Sequence, residues 1–355
     1  MMPDTLAPMR IGARPDGLLE RIGVLFNRVP VPIGEAMYSM PMARSLQVAQ
    51  RTGMLAALAE GPRDPAELAE HLGLQPTGTR RVLDVVASLG HLKVGADGRY
   101  EMTASGRPWL DPASDTYLGD FLADTYHYWD WYAGLEDLVR DGRHVELHGK
   151  APDDPYWDSY IRGQYQLARL SSGEVAKAIP LAPGAHSILD VAGGHGEFSM
   201  ALCQRHEGLR ATVVDLPGSA RVGRQIVAEG GMEERVRHLV GDMFEVDYDG
   251  TYDGALCFNI VHHLTPDQAR TLFTRIRAAL RPGAPLAVLD LYDSPSGRPA
   301  NLASILGLFF HLTSGADTYG VEEVSLWLRE TGFGEAKAKS FRTLPDLQML
   351  VAKAT

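Results

Sequence analysis

The run Ile188-Leu189-Asp190-Val191-Ala192-Gly193-Gly194-His195-Gly196-Glu197-Phe198 constrains this chain more than any other stretch. An apolar strand leads straight into a glycine-rich turn, and a helix-forming segment follows. Backbone without Cβ atoms lets a ligand approach closely at such a turn. Roughly 20 residues further on, the distance at which a ribose-binding acid is found in nucleotide folds, Ala211-Thr212-Val213-Val214 reads as a second strand ending in Asp215. An acidic side chain there is placed to accept hydrogen bonds from both ribose hydroxyls. Together the two elements point to a nucleoside-binding α/β domain.

They do not by themselves fix the nucleoside. Dinucleotide sites prefer G-x-G-x-x-G with a helix N-terminus aimed at a pyrophosphate. Here the glycines crowd behind an acid, as Asp190-x-x-Gly193-Gly194-x-Gly196. An acid beside the ligand suits a cation better than a phosphate. The bland alternative is a strand-to-helix turn that needs glycine only for its geometry.

With 355 residues there is room for two domains. A net charge of -11 argues against a general nucleic-acid binder and against binding to anionic membranes, leaving small molecules as the expected partners. Only Cys203 and Cys257 occur, both in apolar settings, so neither a disulfide framework nor a zinc site is expected and a reducing cytoplasm is the natural home. No signal-peptide pattern opens the chain, and the apolar run Ile305–Phe310 is too short to span a bilayer. The first dozen or so residues, with Pro3, Pro8, Gly12 and Pro15, are expected to be poorly ordered. No acidic or histidine cluster suggests a required metal, and His144 and His148 have no ligand constellation around them.

Residues 1–114 read as a helical domain with a hairpin. Met42 to Leu58 has helical spacing and stops near Gly61-Pro62. Asp64 is the expected N-cap of a helix with Pro65 at its first position and Gly73 as its stop. A further helix runs from about Thr77 to Leu89, and Asp97-Gly98 marks the hairpin turn between two short strands. Helix, turn, helix and hairpin make a winged-helix pattern. Such modules often read DNA through the second helix, here carrying Arg80 and Arg81, but Asp64, Glu67, Glu70, Asp84, Asp97 and Glu101 offset the positive charge. A dimerisation or pocket-wall role is therefore favoured over a DNA-binding regulator.

Residues 115–181 form a connecting region dense in aromatics, among them Tyr126, Tyr128, Trp129, Trp131 and Tyr132, which could line an aromatic pocket or simply pack helices. From residue 182 onward strands and helices alternate. Val236–Val240, Gly254–Asn259 and Leu286–Leu289 are further strands, and the last two lie near Glu335–Phe341 and Gln348–Ala352. This is the pattern of a doubly wound parallel sheet, a Rossmann-like α/β domain.

Several further motifs follow in order: Val214-Asp215-Leu216-Pro217, Gly241-Asp242-Met243-Phe244, Phe258-Asn259-Ile260-Val261-His262-His263-Leu264 and Arg281-Pro282-Gly283-Ala284. With the glycine turn, they resemble the S-adenosylmethionine-dependent methyltransferases, and more narrowly the plant-type O-methyltransferase family with its bacterial natural-product branch. The resemblance covers nearly the whole chain, and Asp-Leu-Pro with Gly-Asp-Met-Phe is its specific part. It implies a class I methyltransferase domain over residues 182–355, behind a winged-helix dimerisation domain that is all-helical apart from the hairpin. It implies a homodimer, S-adenosylmethionine as cofactor and S-adenosylhomocysteine as product.

By position, the resemblance places Gly193, Gly194 and Gly196 at the methionine portion, Asp215 at the ribose, and Asp242 and Met243 around the adenine, with Asp190, Leu216, Gly241, Phe244 and Asn259 as further cofactor-binding residues. Ala192 departs from the family's usual glycine, and Phe258 from a lysine common in plant members. The family's base maps to His262, with His263 on a position that is usually acidic. Histidine suits the role because its unperturbed pKa lies near neutrality. Two assisting carboxylates map to Asp290 and Asp317, both shorter than the usual glutamate, with Asp293 as a competitor for the first. His195 and Glu197 are expected to shape or cap the turn. Trp129, Trp131, Phe309, Phe310 and His311 are the expected walls for the acceptor, a hydroxyl-bearing aromatic or polyketide-like molecule. Carbon or nitrogen acceptors on the same scaffold, and relatives that keep the cofactor for other chemistry, are the alternatives.

Overall fold

The computed structural model describes residues 17–26, 28–293, 301–342 and 347–355; the expectation of a poorly ordered start falls on residues outside these. The chain divides into two compact units, one ending at Tyr128 and the other running from Trp129 to Thr355. The boundary falls inside the stretch read from sequence as a connecting region, so residues 115–181 belong partly to each unit.

In the first unit a helix runs from Val31 to Arg51 and a second from Met54 to Ala59. The break between them is Gly53, whose φ of +79° is the left-handed conformation that favours glycine. The single helix expected over Met42–Leu58 is thus two, and the first begins about three turns earlier. The Pro65–Leu72 helix is started as expected: the Asp64 side chain accepts from the backbone N–H of Ala66 at 2.8 Å and of Glu67 at 3.2 Å, and Gly73 ends it at φ +66°. The Pro76–Ser88 helix follows, and then strands β1 (Leu92–Val94) and β2 (Tyr100–Met102) pair antiparallel across the Gly98 turn. Leu55, Leu58, Leu68 and Leu83 interlock as the core of this unit. Arg80 and Arg81 both lie against Asp84, whose other oxygen accepts from the Tyr100 hydroxyl at 2.5 Å. Their charge is matched locally and leaves no phosphate-reading stripe on that helix.

The second unit holds a seven-stranded sheet of β3 (Ser187–Val191), β4 (Arg210–Asp215), β5 (Val236–Val240), β6 (Gly254–Phe258), β7 (Pro285–Leu291), β8 (Lys337–Ser340) and β9 (Leu347–Lys353). Their spatial order is β5-β4-β3-β6-β7-β9-β8. β3 pairs in parallel with β4 on one side and β6 on the other, which makes the carboxyl end of β3 the point where the winding reverses and a ligand crevice opens. The doubly wound parallel sheet expected from the sequence runs from β5 to β7, and one edge departs from it, where β9 runs antiparallel to both β7 and β8. β6 and β7 are buried along their whole length, so each reads as a continuous apolar run. Among the described residues no helix is long and apolar enough to cross a membrane.

Candidate active site

The turn after β3 is held by its own backbone. Ala192 N–H donates to the Val214 carbonyl at 2.8 Å, and Gly196 N–H to the Gly193 carbonyl at 2.9 Å. Gly193 must lack a side chain because a Cβ there would lie 2.4 Å from the Asp190 carboxyl carbon, which sits directly beneath it. Gly194 has φ +46° and donates its N–H to Asp215 Oδ2 at 2.7 Å. Asp215 Oδ1 accepts from Leu216 N–H, also at 2.7 Å. The glycine turn and the acid at the end of β4 are therefore one hydrogen-bonded unit.

A third strand end closes the arrangement. Gly241 N–H, just past β5, donates to the Asp215 carbonyl at 3.0 Å, and Asp242 Oδ1 accepts from Phe244 N–H at 2.7 Å. The Met243 carbonyl accepts from Tyr248 Oη and Arg275 Nε, which pins this turn. Past β6, Asn259 takes φ +53° and donates its N–H to the Leu289 carbonyl. These segments surround a cavity of about 590 Å³. Asp190, Gly193, Gly194, Asp215, Leu216, Gly241, Asp242, Met243, Phe244 and Asn259 all line it.

Gly196 does not. At φ +73° it caps the Glu197–Arg205 helix and packs toward Val227, Val236 and His238, so its role there is backbone conformation rather than ligand contact. His195 Nδ1 accepts from Glu197 N–H at 3.0 Å and Glu197 accepts from Ser172 Oγ at 2.6 Å, which holds both within the turn, but His195 also lines the cavity.

Burial sets the electrostatics. The Asp190 carboxyl is pushed up to about 7 by burial, with the Asp215 charge adding to the effect and the Ser199 hydroxyl, donating to Oδ2 at 2.7 Å, opposing it. Asp215 is also raised by burial, against the backbone N–H groups of Leu216 and Gly194. The buried Asp190 and the half-exposed Asp215, two carboxylates at one end of a cavity, make it a place for positive charge.

His262 lies in the short turn after β6 and is buried. Its Nδ1 is 2.5 Å from Oδ1 of Asp290, at the end of β7. Asp290 also accepts from the backbone N–H of Val261 at 2.9 Å and of Leu291 at 2.8 Å. The Phe310 ring stacks on the imidazole with centroids 3.6 Å apart and planes 17° from parallel. His262 is consequently behind the cavity wall, while its neighbours Ile260, His263 and Leu264 are on it. Of the two carboxylates expected to assist, the structure brings only Asp290 to His262. Asp317 is exposed and accepts from Thr318 N–H, and Asp293 accepts from the Thr318 hydroxyl.

The expected acceptor walls are elsewhere than expected. None of Trp129, Trp131, Phe309, Phe310 and His311 lines the cavity. Trp131 packs on Phe309 and Tyr156, Tyr132 packs on Phe309, and Phe310 covers His262. His311 Nδ1 lies 2.7 Å from the Ala316 carbonyl, at the end of its helix. Packing between helices has claimed these rings.

The cavity wall is made instead by the loop carrying His144, Glu146, Leu147 and His148, and by Trp157, Tyr160, Ile161 and Gln164 from the Tyr156–Arg169 helix. Thr313 and Ser314 complete it.

Comparison with known proteins agrees with this geometry. The pattern of a methyltransferase domain matches residues 188–283, and that of an O-methyltransferase dimerisation domain matches residues 35–112. Acetylserotonin O-methyltransferase of Mus musculus is 32% identical over 275 residues, covering 71% of this chain and 70% of that protein. The chain belongs to the O-methyltransferase family. Another member, the 3-hydroxy-5-methyl-1-naphthoate 3-O-methyltransferase of Streptomyces sahachiroi, is 27% identical over 310 residues, 84% of this chain and 88% of its own. The human N-acetylserotonin methyltransferase structure, determined with S-adenosylmethionine, shares the fold at a TM-score of 0.81 and 20% identity, covering 97% of this chain and 99% of that one.

This O-methyltransferase is an S-adenosylmethionine-dependent enzyme. Its cavity fits that cofactor on independent grounds: Gly193 and Gly194 leave backbone open, Asp215 is half-exposed with its remaining lone pairs free for hydroxyls, and buried Asp190 matches a cationic ligand.

Sequence reasoning missed three groups that this family member uses to build the site. Gly223 lets the Pro217–Glu229 helix approach the turn, since a Cβ there would lie 2.2 Å from the Gly194 carbonyl oxygen. His238 Nε2 holds the same oxygen at 2.8 Å. The third group is the wall Trp157, Tyr160, Ile161 and Gln164, whose i, i+3, i+4, i+7 spacing was a readable signal for one helix face.

Proposed function

We propose that the protein transfers a methyl group to a hydroxyl of an aromatic or polyketide-like small molecule, with His262 as general base and Asp290 behind it. The observation that carries this reading is the buried His262–Asp290 pair, 2.5 Å apart, in the turn beside a cavity suited to the cofactor. When bound, S-adenosylmethionine supplies an electrophilic methyl on a positively charged sulfur that leaves without further activation. The chain's task is then to bind, orient and deprotonate the acceptor.

With Asp290 accepting from Nδ1–H, the lone pair of His262 is on Nε2, the tautomer a base needs. Nε2 takes the acceptor's hydroxyl proton, and the Asp290 carboxylate stabilises the imidazolium that results. Because Phe310 covers the imidazole, the acceptor reaches Nε2 once that ring turns aside. Asp317 is assigned no part in the step.

For the cofactor, the reading assigns Asp215 and Leu216 to the ribose and Asp242 and Met243 to the adenine. A thioether face and a carboxylate accepting from an exocyclic amine suit a purine. Gly193, Gly194 and Asp190 take the methionine end, and Gly241, Phe244 and Asn259 complete the wall. Residues 182–355 form the catalytic domain in this reading, and the N-terminal residues make a homodimer. The exposed apolar side chains Leu18, Leu19, Leu25, Ile33, Met37 and Tyr38 support a second copy as the partner, and the unpaired thiols of Cys203 and Cys257 support a cytoplasmic setting.

The test is incubation with methyl-labelled cofactor and a panel of phenols, enols and amines, read by mass spectrometry. The reading expects one added methyl on oxygen together with stoichiometric S-adenosylhomocysteine. Label on nitrogen or carbon alone, or none on any acceptor, overturns it.

A further inference from the structure

His148 and His263 come from distant parts of the second unit and meet on the cavity wall, with ring centroids 5.4 Å apart and planes at 80°. His148 is held in place by rings on its other sides: Trp157 stacks on it at 6.1 Å, and Tyr160 lies at 5.7 Å. Trp157 is fixed in turn by donating its indole N–H to the Ala151 carbonyl at 2.9 Å. The pair is therefore positioned before any ligand arrives.

Yet neither ring is satisfied. Nδ1 of each is buried without a hydrogen-bond partner among the described residues. Burial holds both imidazoles below their ordinary pKa, His148 at about 4 and His263 well below its usual value. A neutral imidazole carries one donor and one acceptor, and in each of these two cavity-lining rings the Nδ1 group is left unpaired. Leaving such a group buried and unpaired is costly, and a polar ligand atom in the cavity would supply the missing bond.

We propose that His148 and His263 together dock two neighbouring oxygen atoms of the acceptor, so that the enzyme selects aromatic rings bearing vicinal oxygen substituents over simple phenols. The inference rests on the reading of the cavity as an acceptor site. It adds what that reading lacks, the feature of the acceptor that is recognised. Two oxygens on adjacent ring carbons lie close enough together for one to meet each imidazole, and His263 adjoins His262 in the chain and in space, their ring centroids 4.3 Å apart. Both histidines are positioning residues here, and neither takes the proton.

Binding rather than turnover tests this, so that failure of the methyl-transfer reading does not mask the result. Naphthalene-2,3-diol and 2-naphthol are titrated calorimetrically into the full-length protein saturated with S-adenosylhomocysteine. The wild type is expected to bind the diol at least tenfold more tightly than the monophenol. His148→Phe and His263→Phe, which keep a ring but remove its nitrogens, are each expected to reduce the diol's affinity to that of 2-naphthol with cofactor affinity unchanged. His148→Gln, which restores a donor and an acceptor, is expected to recover part of the preference and guards against a folding defect in the Phe variant. Equal binding of the two probes, no binding of either, or a diol preference that survives both Phe substitutions overturns the proposal. If the preference holds but no methyl reaches oxygen, the docking inference stands and the O-transfer reading falls.

Discussion

Asp290→Asn perturbs the proposed base with almost no change of shape. Asp290 is 1% exposed, and its two oxygens face different donors: Oδ1 meets His262 Nδ1 and Leu291 N–H, while Oδ2 meets Val261 N–H and, at 3.4 Å, His262 N–H. An asparagine must present its NH2 to one of these sets. With the amide nitrogen on the Oδ2 side, it opposes two backbone donors. With the amide nitrogen on the Oδ1 side, it opposes only Leu291 N–H, because the imidazole can change tautomer and accept. Each opposed buried donor costs about 1–3 kcal/mol, so the second orientation is preferred by roughly that amount. Its consequence is a proton on Nε2, which removes the base.

The reasoning therefore predicts a fall in kcat of about 100- to 10,000-fold, the range seen when a general base is lost or held in the wrong tautomer. Cofactor affinity should stay within about threefold, and Tm should drop by several degrees for the one opposed donor. Single-turnover rates with labelled cofactor, calorimetric titration of S-adenosylhomocysteine and a thermal melt measure all three. A variant with kcat within threefold of wild type at pH 7 refutes the tautomer argument and removes Asp290 from the mechanism.

With Asp215 accepting from both ribose hydroxyls as proposed, Asp215→Ala removes two bonds to a charged group, each worth about 1.5–3 kcal/mol, so cofactor affinity should fall about 100-fold or more by calorimetry; unchanged affinity excludes the ribose assignment. For Asp190, whose carboxyl is raised to about 7, the folded protein holds the proton more tightly than the unfolded chain, so its stabilising contribution is full below about pH 4 and is lost as pH rises through 7. Binding of the cationic cofactor should run the other way, strengthening between pH 5.5 and 7 by up to about tenfold per unit, and Asp190→Asn should flatten that rise; a wild-type affinity without pH dependence in this window contradicts the assignment. Ala192 takes φ +56°, a left-handed conformation costing a Cβ-bearing residue about 1–2 kcal/mol, whereas glycine costs about 0.4–1 kcal/mol through unfolded-state entropy. Ala192→Gly should then leave Tm unchanged or raise it by a few degrees, and a lower Tm would show that the methyl group is packed to advantage.

The part of the cavity wall built on the glycine turn was legible because its geometry is local. A glycine turn, an acid at the next strand end and a Gly-Asp pair after the third strand are each fixed by a few consecutive residues, and ten of the eleven positions named for it line the cavity. Gly196 was the exception, since a glycine needed for φ and a glycine needed for ligand approach look the same in sequence. The acceptor half was illegible for the opposite reason. Aromatic density around Trp129 to Tyr132 and at Phe309-Phe310 signals a ring cluster but not which face it presents, and here the rings face one another. His148 could not be read as a site residue at all, because its partner His263 is more than a hundred positions away and only the fold joins them. The parallel-sheet pattern likewise carries no sign of direction at its final edge, where β9 turns back against β7.

The central claim is that His262 removes the acceptor's proton, and His262→Ala examined with an identified acceptor tests it most directly. Pre-steady-state methyl transfer should fall by 100-fold or more while the dissociation constant for S-adenosylhomocysteine stays within about threefold. The loss should also shrink when the acceptor is a more acidic phenol that ionises unaided. Wild-type transfer rates in that variant with an acceptor too weakly acidic to ionise unaided would contradict the account.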